Sequence, residues 1–102
     1  MTYLDEVADE IRRAASHDAL PDEDTTDLFR LYAVLLMAKG EGVSREDVHN
    51  AWVAWMLSKR ERHDSLVPFS DLDPATQAED SPFVLAIRTV ARLHGNTGGS
   101  GA

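Results

Sequence analysis

The residues best suited to chemistry in this sequence are two tryptophans and the basic side chains that follow them. Indole faces stack on aromatic rings, and cationic groups form charge-assisted hydrogen bonds with phosphates. This combination predicts a pocket for a nucleotide or a nucleotide-derived anion. The residues expected to form it are Trp52, Trp55, Lys59, Arg62, His63 and Arg88.

The same residue types also allow a purely structural interpretation. Tryptophans on a helix commonly pack in a core, and Lys or Arg near the carboxyl end of a helix complements its dipole. His63 suits a loop anchor and a ligand contact equally well, whereas Asp80, which precedes Ser-Pro, suits a helix cap. His49 is expected at the margin of the interface that the third helix forms. Both interpretations stay open at the level of the sequence.

Motifs of catalysis and metal binding are missing from the sequence. His63, Asp64 and Ser65 have the residue types of a triad, but consecutive side chains diverge and cannot relay a proton. No HExxH, P-loop or dinucleotide-binding motif is present, and the four histidines lack the close spacing of a metal site. We therefore expect no enzyme, no metal site and no cofactor, with a hydrolase built from distant carboxylates left open.

The charge distribution argues against nucleic-acid binding. The 102 residues carry a net charge of −8, and residues 1–27 contain nine acids against two arginines. Duplex binding relies on Lys and Arg to neutralise phosphates, so we expect no nucleic-acid partner. The chain has no cysteine, and its longest apolar run, residues 33–38, is too short to cross a bilayer. These features predict a cytoplasmic protein without membrane contact.

Helical periodicity covers most of the first 60 residues. Apolar positions recur at helical spacing in three segments, residues 2–16, 25–40 and 45–60. The second segment is apolar on nearly all sides and is expected to be the central helix. Thr25 or Thr26 is expected to cap it and Gly40 to end it. Ser44, followed three positions later by Asp47, is typical of a capping box at the start of the third helix.

A proline-containing segment interrupts the helical pattern at residues 63–73. Pro68 excludes a regular helix, whereas Leu66, Val67 and Phe69 require burial. We therefore expect an ordered loop that folds inward against the helices.

The sequence predicts an all-α fold, a small bundle of four to five helices with this ordered loop between helices three and four. Asp73-Pro74 opens a short fourth helix, and the last helix is expected to end at Gly95. One helical domain should cover residues 1–94. The Gly- and Ser-rich residues 95–102 are expected to be a flexible tail.

The second and third predicted helices, joined by a Gly turn and the segment GVSREDV, resemble a helix-turn-helix. The third helix, however, presents Trp, Ala and Met where base-reading side chains should stand, and the protein is acidic. A DNA-binding role is the least favoured alternative.

One set of spaced residues resembles the ryanodine-receptor repeat, also called the RyR domain. Val48-His49-x-x-Trp52 is followed by His63-x-x-Leu66-Val67-Pro68-Phe69-x-x-Leu72, and then by Asp80 eight positions further on. The resemblance covers about residues 47–92. Copies in animal channels occur in tandem and have a longer insertion between the tryptophan and the histidine.

This chain carries one copy, and in this respect it is similar to the single-copy repeats of bacteria and phages. For such a protein the resemblance implies a ligand-sensing role in nucleotide-linked signalling or defence. We therefore expect a small-molecule binding module, acting as a sensor or a sequestering protein. The alternative is a protein–protein interaction adaptor that binds a protein partner or a second copy of itself.

Overall fold

Five α-helices and two short 3-10 turns make up the computed structural model, which describes residues 2–15 and 24–98, with side chains up to residue 94. The described residues contain no strand, so the predicted all-α bundle is confirmed. The 3-10 turns are Gly40–Gly42 and Phe69–Asp71. The helices are α1 (Tyr3–Ala14), α2 (Thr26–Lys39), α3 (Arg45–Ser58), α4 (Pro74–Ala78) and α5 (Ser81–Gly98).

Helix α2 lies at the centre of the bundle, as its apolar sequence predicts. It contacts α1, α3 and α5, and the side chains of Phe29 and Tyr32 are almost completely buried. Their rings meet edge to face, with centroids 5.3 Å apart, which is a favourable geometry for aromatic pairs. The other fully buried large side chains are Val7, Ile11, Thr25, Val43, Val48, Ile87 and Val90.

Two helices begin with a capping box. The Thr2 hydroxyl accepts a hydrogen bond from the backbone of Asp5, and the Asp5 carboxylate accepts one in return. Ser44 and Asp47 form the same reciprocal pair at the start of α3, as the sequence predicts. Each pair satisfies backbone N–H groups that have no partner within the helix.

The predicted cap of α2 is wrong in its chemistry. Thr25 occupies the cap position, but its side chain makes no capping hydrogen bond. Its buried hydroxyl instead accepts a hydrogen bond of 2.8 Å from Arg12 of α1. The carboxylate of Asp24 accepts from the backbone and the hydroxyl of Thr26. At the other end Gly40, with φ of 55°, terminates α2 as predicted.

Helix α5 runs to Gly98 and thus passes the predicted end at Gly95. Glycine destabilises the helical state by about 1 kcal/mol relative to alanine but does not exclude it, so Gly95 does not have to end a helix. Residues 99–102 of the predicted flexible tail lie outside the described residues. None of the described helices combines the length and the apolar character needed to cross a membrane.

Candidate functional site

The end of α3 is a tight turn that sets the direction of the following loop. The Arg60 N–H donates to the Leu57 carbonyl and the Glu61 N–H to the Met56 carbonyl, which is the hydrogen-bond pattern of a Schellman motif. Arg60 occupies the position where glycine is usual, and its φ is 58°. The turn reverses the chain so that the loop returns along the side of α3.

A buried histidine fixes this loop to α3. His49 is 3% exposed, and its Nε2 donates a hydrogen bond of 2.7 Å to the Val67 carbonyl, which can only accept. Its ring also stacks on Trp52, with centroids 5.7 Å apart. The sequence predicts His49 at the margin of the interface of α3, whereas the residue lies inside that interface and joins the helix to the loop.

The loop is also held from α4. The side-chain amide of Gln77 donates a hydrogen bond of 2.9 Å to the Phe69 carbonyl. Helix α4 itself begins as predicted, with the Asp73 carboxylate accepting from the Thr76 N–H and with Pro74 in the first turn. Contacts from two helices thus hold the proline-containing loop. Leu66 and Phe69 are partly buried, whereas the expected burial of Val67 is wrong, since this side chain is 36% exposed.

A pocket of about 410 Å³ lies between α3, this loop, α4 and the start of α5. This volume falls within the range of roughly 300–1,000 Å³ that is usual for small-molecule sites. We call it the aromatic pocket. It is lined by Leu28, Tyr32, His49, Trp52, Trp55, Met56, Glu61, His63, Ser65, Leu72, Thr76, Glu79, Asp80 and Phe83.

Three of the six predicted site residues, Trp52, Trp55 and His63, line this pocket. The rings of Trp52 and His63 meet edge to face at 5.2 Å. His63 Nδ1 accepts a hydrogen bond of 3.0 Å from the Ser65 N–H, so a neutral ring carries its proton on Nε2. His63 therefore holds the start of the loop and also faces the pocket, and its contact with a ligand stays a prediction.

The predicted basic residues are not brought into the pocket lining. Lys59 packs with its ammonium group 4.0 Å from the centroid of the Trp55 ring and 3.4 Å from Glu61. Arg62 is exposed beyond the turn. Arg88 points elsewhere, because its Nε donates a hydrogen bond of 2.9 Å to the Val43 carbonyl near the start of α3.

The charged groups that do line the pocket are acidic. Glu61, Glu79 and Asp80 are present, whereas no Lys or Arg occurs among the described lining residues. Burial raises the pKa of Asp80 to about 6, with the nearby charge of Glu79 adding to the effect and those of His49 and Arg45 opposing it. A carboxyl group with a raised pKa inside a pocket is a frequent mark of functional sites.

Sequence reasoning missed several lining residues and misread one. Tyr32 and Phe83 are not among the predicted site residues, and their rings lie 5.5 Å apart at the pocket wall. Burial also raises the pKa of the Tyr32 hydroxyl. Asp80 holds the predicted cap position, since its carbonyl accepts from Phe83 and Val84, but its side chain faces the pocket. Its fixed offset from the loop motif was the signal that could have identified it.

The described part of the chain contains no group of three or more His, Cys, Asp or Glu side chains that could hold a metal ion. The arrangement is an aromatic cavity with three carboxylates among its lining residues. Such a cavity can stack a flat ring and accept hydrogen bonds from it.

Fold and site together define a small helical domain with an aromatic, acid-lined pocket. The chain belongs to the family described as domain of unknown function (DUF7701), whose model matches residues 2–92. Comparisons with curated proteins and with solved structures gave no significant match.

Proposed function

We propose that this protein is a small-molecule binding module, without catalytic activity of its own, that holds a flat ring such as a nucleobase in the aromatic pocket. The observation that carries the proposal is the convergence of Trp52, Trp55, Tyr32 and Phe83 on one cavity of about 410 Å³. A cavity lined by aromatic rings and a few polar groups is the usual form of a ligand site.

The resemblance to the ryanodine-receptor repeat stays a prediction and supports the same function. Of its motif residues, His49, Trp52, His63, Leu72 and Asp80 all line the pocket. A nucleotide-like ligand would place its base in the cavity and its phosphates outside, toward the turn that carries Lys59 and Arg62. The proposal includes action in the cytoplasm, as a sensor or a sequestering protein.

The adaptor alternative has weaker support. Several large apolar side chains are exposed, with Leu57, Leu85 and Leu93 near 60%. Single exposed apolar side chains are normal on protein surfaces and do not by themselves indicate a partner. A homodimer or a protein partner is therefore the second proposal.

A thermal shift assay with a panel of nucleosides and nucleotides tests the binding function. A ligand at ten times its Kd stabilises the folded state by about 1.4 kcal/mol, which raises the Tm of a domain of this size by roughly 4–8 °C per kcal/mol. Trp52→Ala should abolish the shift while the far-UV circular dichroism stays helical. Arg92→Ala, which removes an exposed arginine paired with Glu41, is the control and should retain it. A panel that leaves the Tm unchanged at millimolar concentration would contradict the proposal.

A further inference from the structure

The sign of the charge around the aromatic pocket bears on the chemistry of its ligand. Three carboxylates, those of Glu61, Glu79 and Asp80, line a cavity whose other walls are mostly apolar. Glu61 is paired with Lys59, and Glu61 and Glu79 are exposed. Asp80 is therefore the carboxylate that acts inside the cavity. Charges act more strongly in such a partly dehydrated site than in water. A group with negative charge inside the cavity would be repelled, and a group with positive charge would be attracted.

Asp80 is the most buried of the three carboxylates, and the charges of His49 and Arg45 favour its ionised form. It is half-buried, and within residues 2–15 and 24–98 no group donates a hydrogen bond to its carboxyl oxygens. Burial of a carboxylate is costly unless it is paired or hydrogen-bonded. No buried side-chain oxygen in the described part of the chain lacks a partner, so the Asp80 oxygens are open to solvent in the pocket. A ligand with a positive charge or an N–H donor would take the place of water there.

The protein already contains one contact of the expected kind beside the pocket. The Lys59 ammonium lies over the Trp55 ring, 4.0 Å from its centroid, and 3.4 Å from the Glu61 carboxylate. A cation held between an indole face and a carboxylate gains both cation–π and ionic attraction. Trp52 and Asp80 offer the same two chemical groups to a molecule inside the cavity.

The amino end of α5 is the feature that would favour an anion instead. Helix amino termini attract negative charge. Here, however, Asp80 itself holds the cap position of α5, and the adjacent Glu79 also lines the cavity. An anionic ligand at this end would therefore meet two carboxylates.

We infer that the aromatic pocket selects a cationic, flat nitrogen heterocycle, such as an N-alkylated pyridinium or purinium ring, with the indole of Trp52 as its stacking surface and the carboxylate of Asp80 as its counter-ion. This inference rests on the proposed binding function and names the class of ring that the pocket takes. It differs from the sequence-based expectation of an anion, because the basic side chains lie outside the cavity. Phosphates on the same ligand remain compatible with this arrangement, provided that they project out of the pocket.

Isothermal titration calorimetry with pairs of ligands that differ in charge tests the inference. The pairs are 1-methylnicotinamide against nicotinamide and 1-methyladenosine against adenosine, in which the N-methylated member is the cation at neutral pH. We expect the cation of each pair to bind at least about tenfold more tightly. Asp80→Asn keeps the size of the side chain and removes its charge, and it should reduce the preference to about threefold or less. Asp71→Asn, an exposed acid on the neighbouring 3-10 turn, is the matched control and should keep the full preference.

The outcomes separate this inference from the proposed function. Equal affinity for the charged and neutral members overturns the inference and leaves the binding function intact. An unchanged preference in Asp80→Asn overturns the assigned role of Asp80. If no member of either pair binds and the nucleotide panel also fails, the inference and the proposed function both fall. A cation preference that disappears in Asp80→Asn, with an unchanged far-UV circular dichroism spectrum, supports both.

Discussion

Replacement of Asp80 by asparagine should make the protein more stable at neutral pH. Burial raises the pKa of Asp80 from 3.8 to about 6. Between these two values the folded state holds more protons than the unfolded state, so the free energy of unfolding falls as the pH rises through this window. Above this pH window the ionised carboxylate of Asp80 destabilises the folded state. Below the window the carboxyl group is protonated in both states, and the destabilisation vanishes. Asparagine removes the charge and remains a good residue for the cap position of α5.

The size of this effect follows from the shift in pKa. One pKa unit corresponds to about 1.4 kcal/mol. Without solvent screening, this shift would therefore lower the free energy of unfolding by roughly 3 kcal/mol at neutral pH. The Asp80 side chain is only half-buried, and solvent screening reduces this value. We expect Asp80→Asn to raise the free energy of unfolding by about 1 kcal/mol at neutral pH, or the Tm by roughly 4–8 °C.

Urea unfolding followed by circular dichroism at several pH values measures this difference without relying on the tryptophans near the mutation. The increase in the free energy of unfolding caused by Asp80→Asn should be complete above the raised pKa of about 6. It should disappear as the pH approaches 3.8. Asp71→Asn is again the control and should change stability by less than about 0.5 kcal/mol at any pH. A gain that does not vary with pH, or a loss at neutral pH, would refute the assignment of a dehydrated carboxylate.

Three further substitutions test the elements that shape the pocket. Arg60→Gly should stabilise the protein by about 0.5–1 kcal/mol in urea unfolding, because glycine adopts the positive φ without strain; a loss of stability would contradict the strained turn. His49→Phe should cost about 1 kcal/mol, since it removes the donor to the Val67 carbonyl, and should speed hydrogen exchange in the loop; unchanged exchange would argue against the anchor. Ser44→Ala should cost about 1 kcal/mol through loss of the capping box with Asp47, and a neutral result in urea would contradict that cap.

Local patterns in the sequence predict the helices well because their causes are local. The box of Ser44 and Asp47, the positive φ of Gly40 and the Asp73-Pro74 start each depend on residues within four positions of one another. Apolar periodicity likewise identifies α2 as the central helix. The cap of α2 was misjudged because the Thr25 hydroxyl is engaged by Arg12, thirteen positions away, and no local pattern contains that contact.

The positions of the basic side chains depend on contacts between distant parts of the chain, which no local sequence pattern predicts. Arg88 was expected in the site, but it binds the carbonyl of Val43, 45 positions away in the chain. The Schellman turn at Arg60 leaves Arg62 on the exposed surface, although it is only ten positions from Trp52. The sequence therefore predicted the two indoles that line the candidate pocket, whereas its acidic lining depends on the packing that places Asp80, at the start of α5, in the same cavity.

Asp80 links the stability of the fold to the proposed ligand in one testable way. If the only role of Asp80 is to cap α5, asparagine should serve equally well. The stability that the Asp80 carboxylate costs at neutral pH would then not be offset by any gain in ligand binding. If it is the counter-ion of a cationic ring, the same substitution must raise stability and lower affinity together, because the dehydrated charge that weakens the empty protein is the charge that the ligand neutralises. Opposite changes in the two measurements distinguish a binding residue from a structural one, since loss of a purely structural residue would lower both.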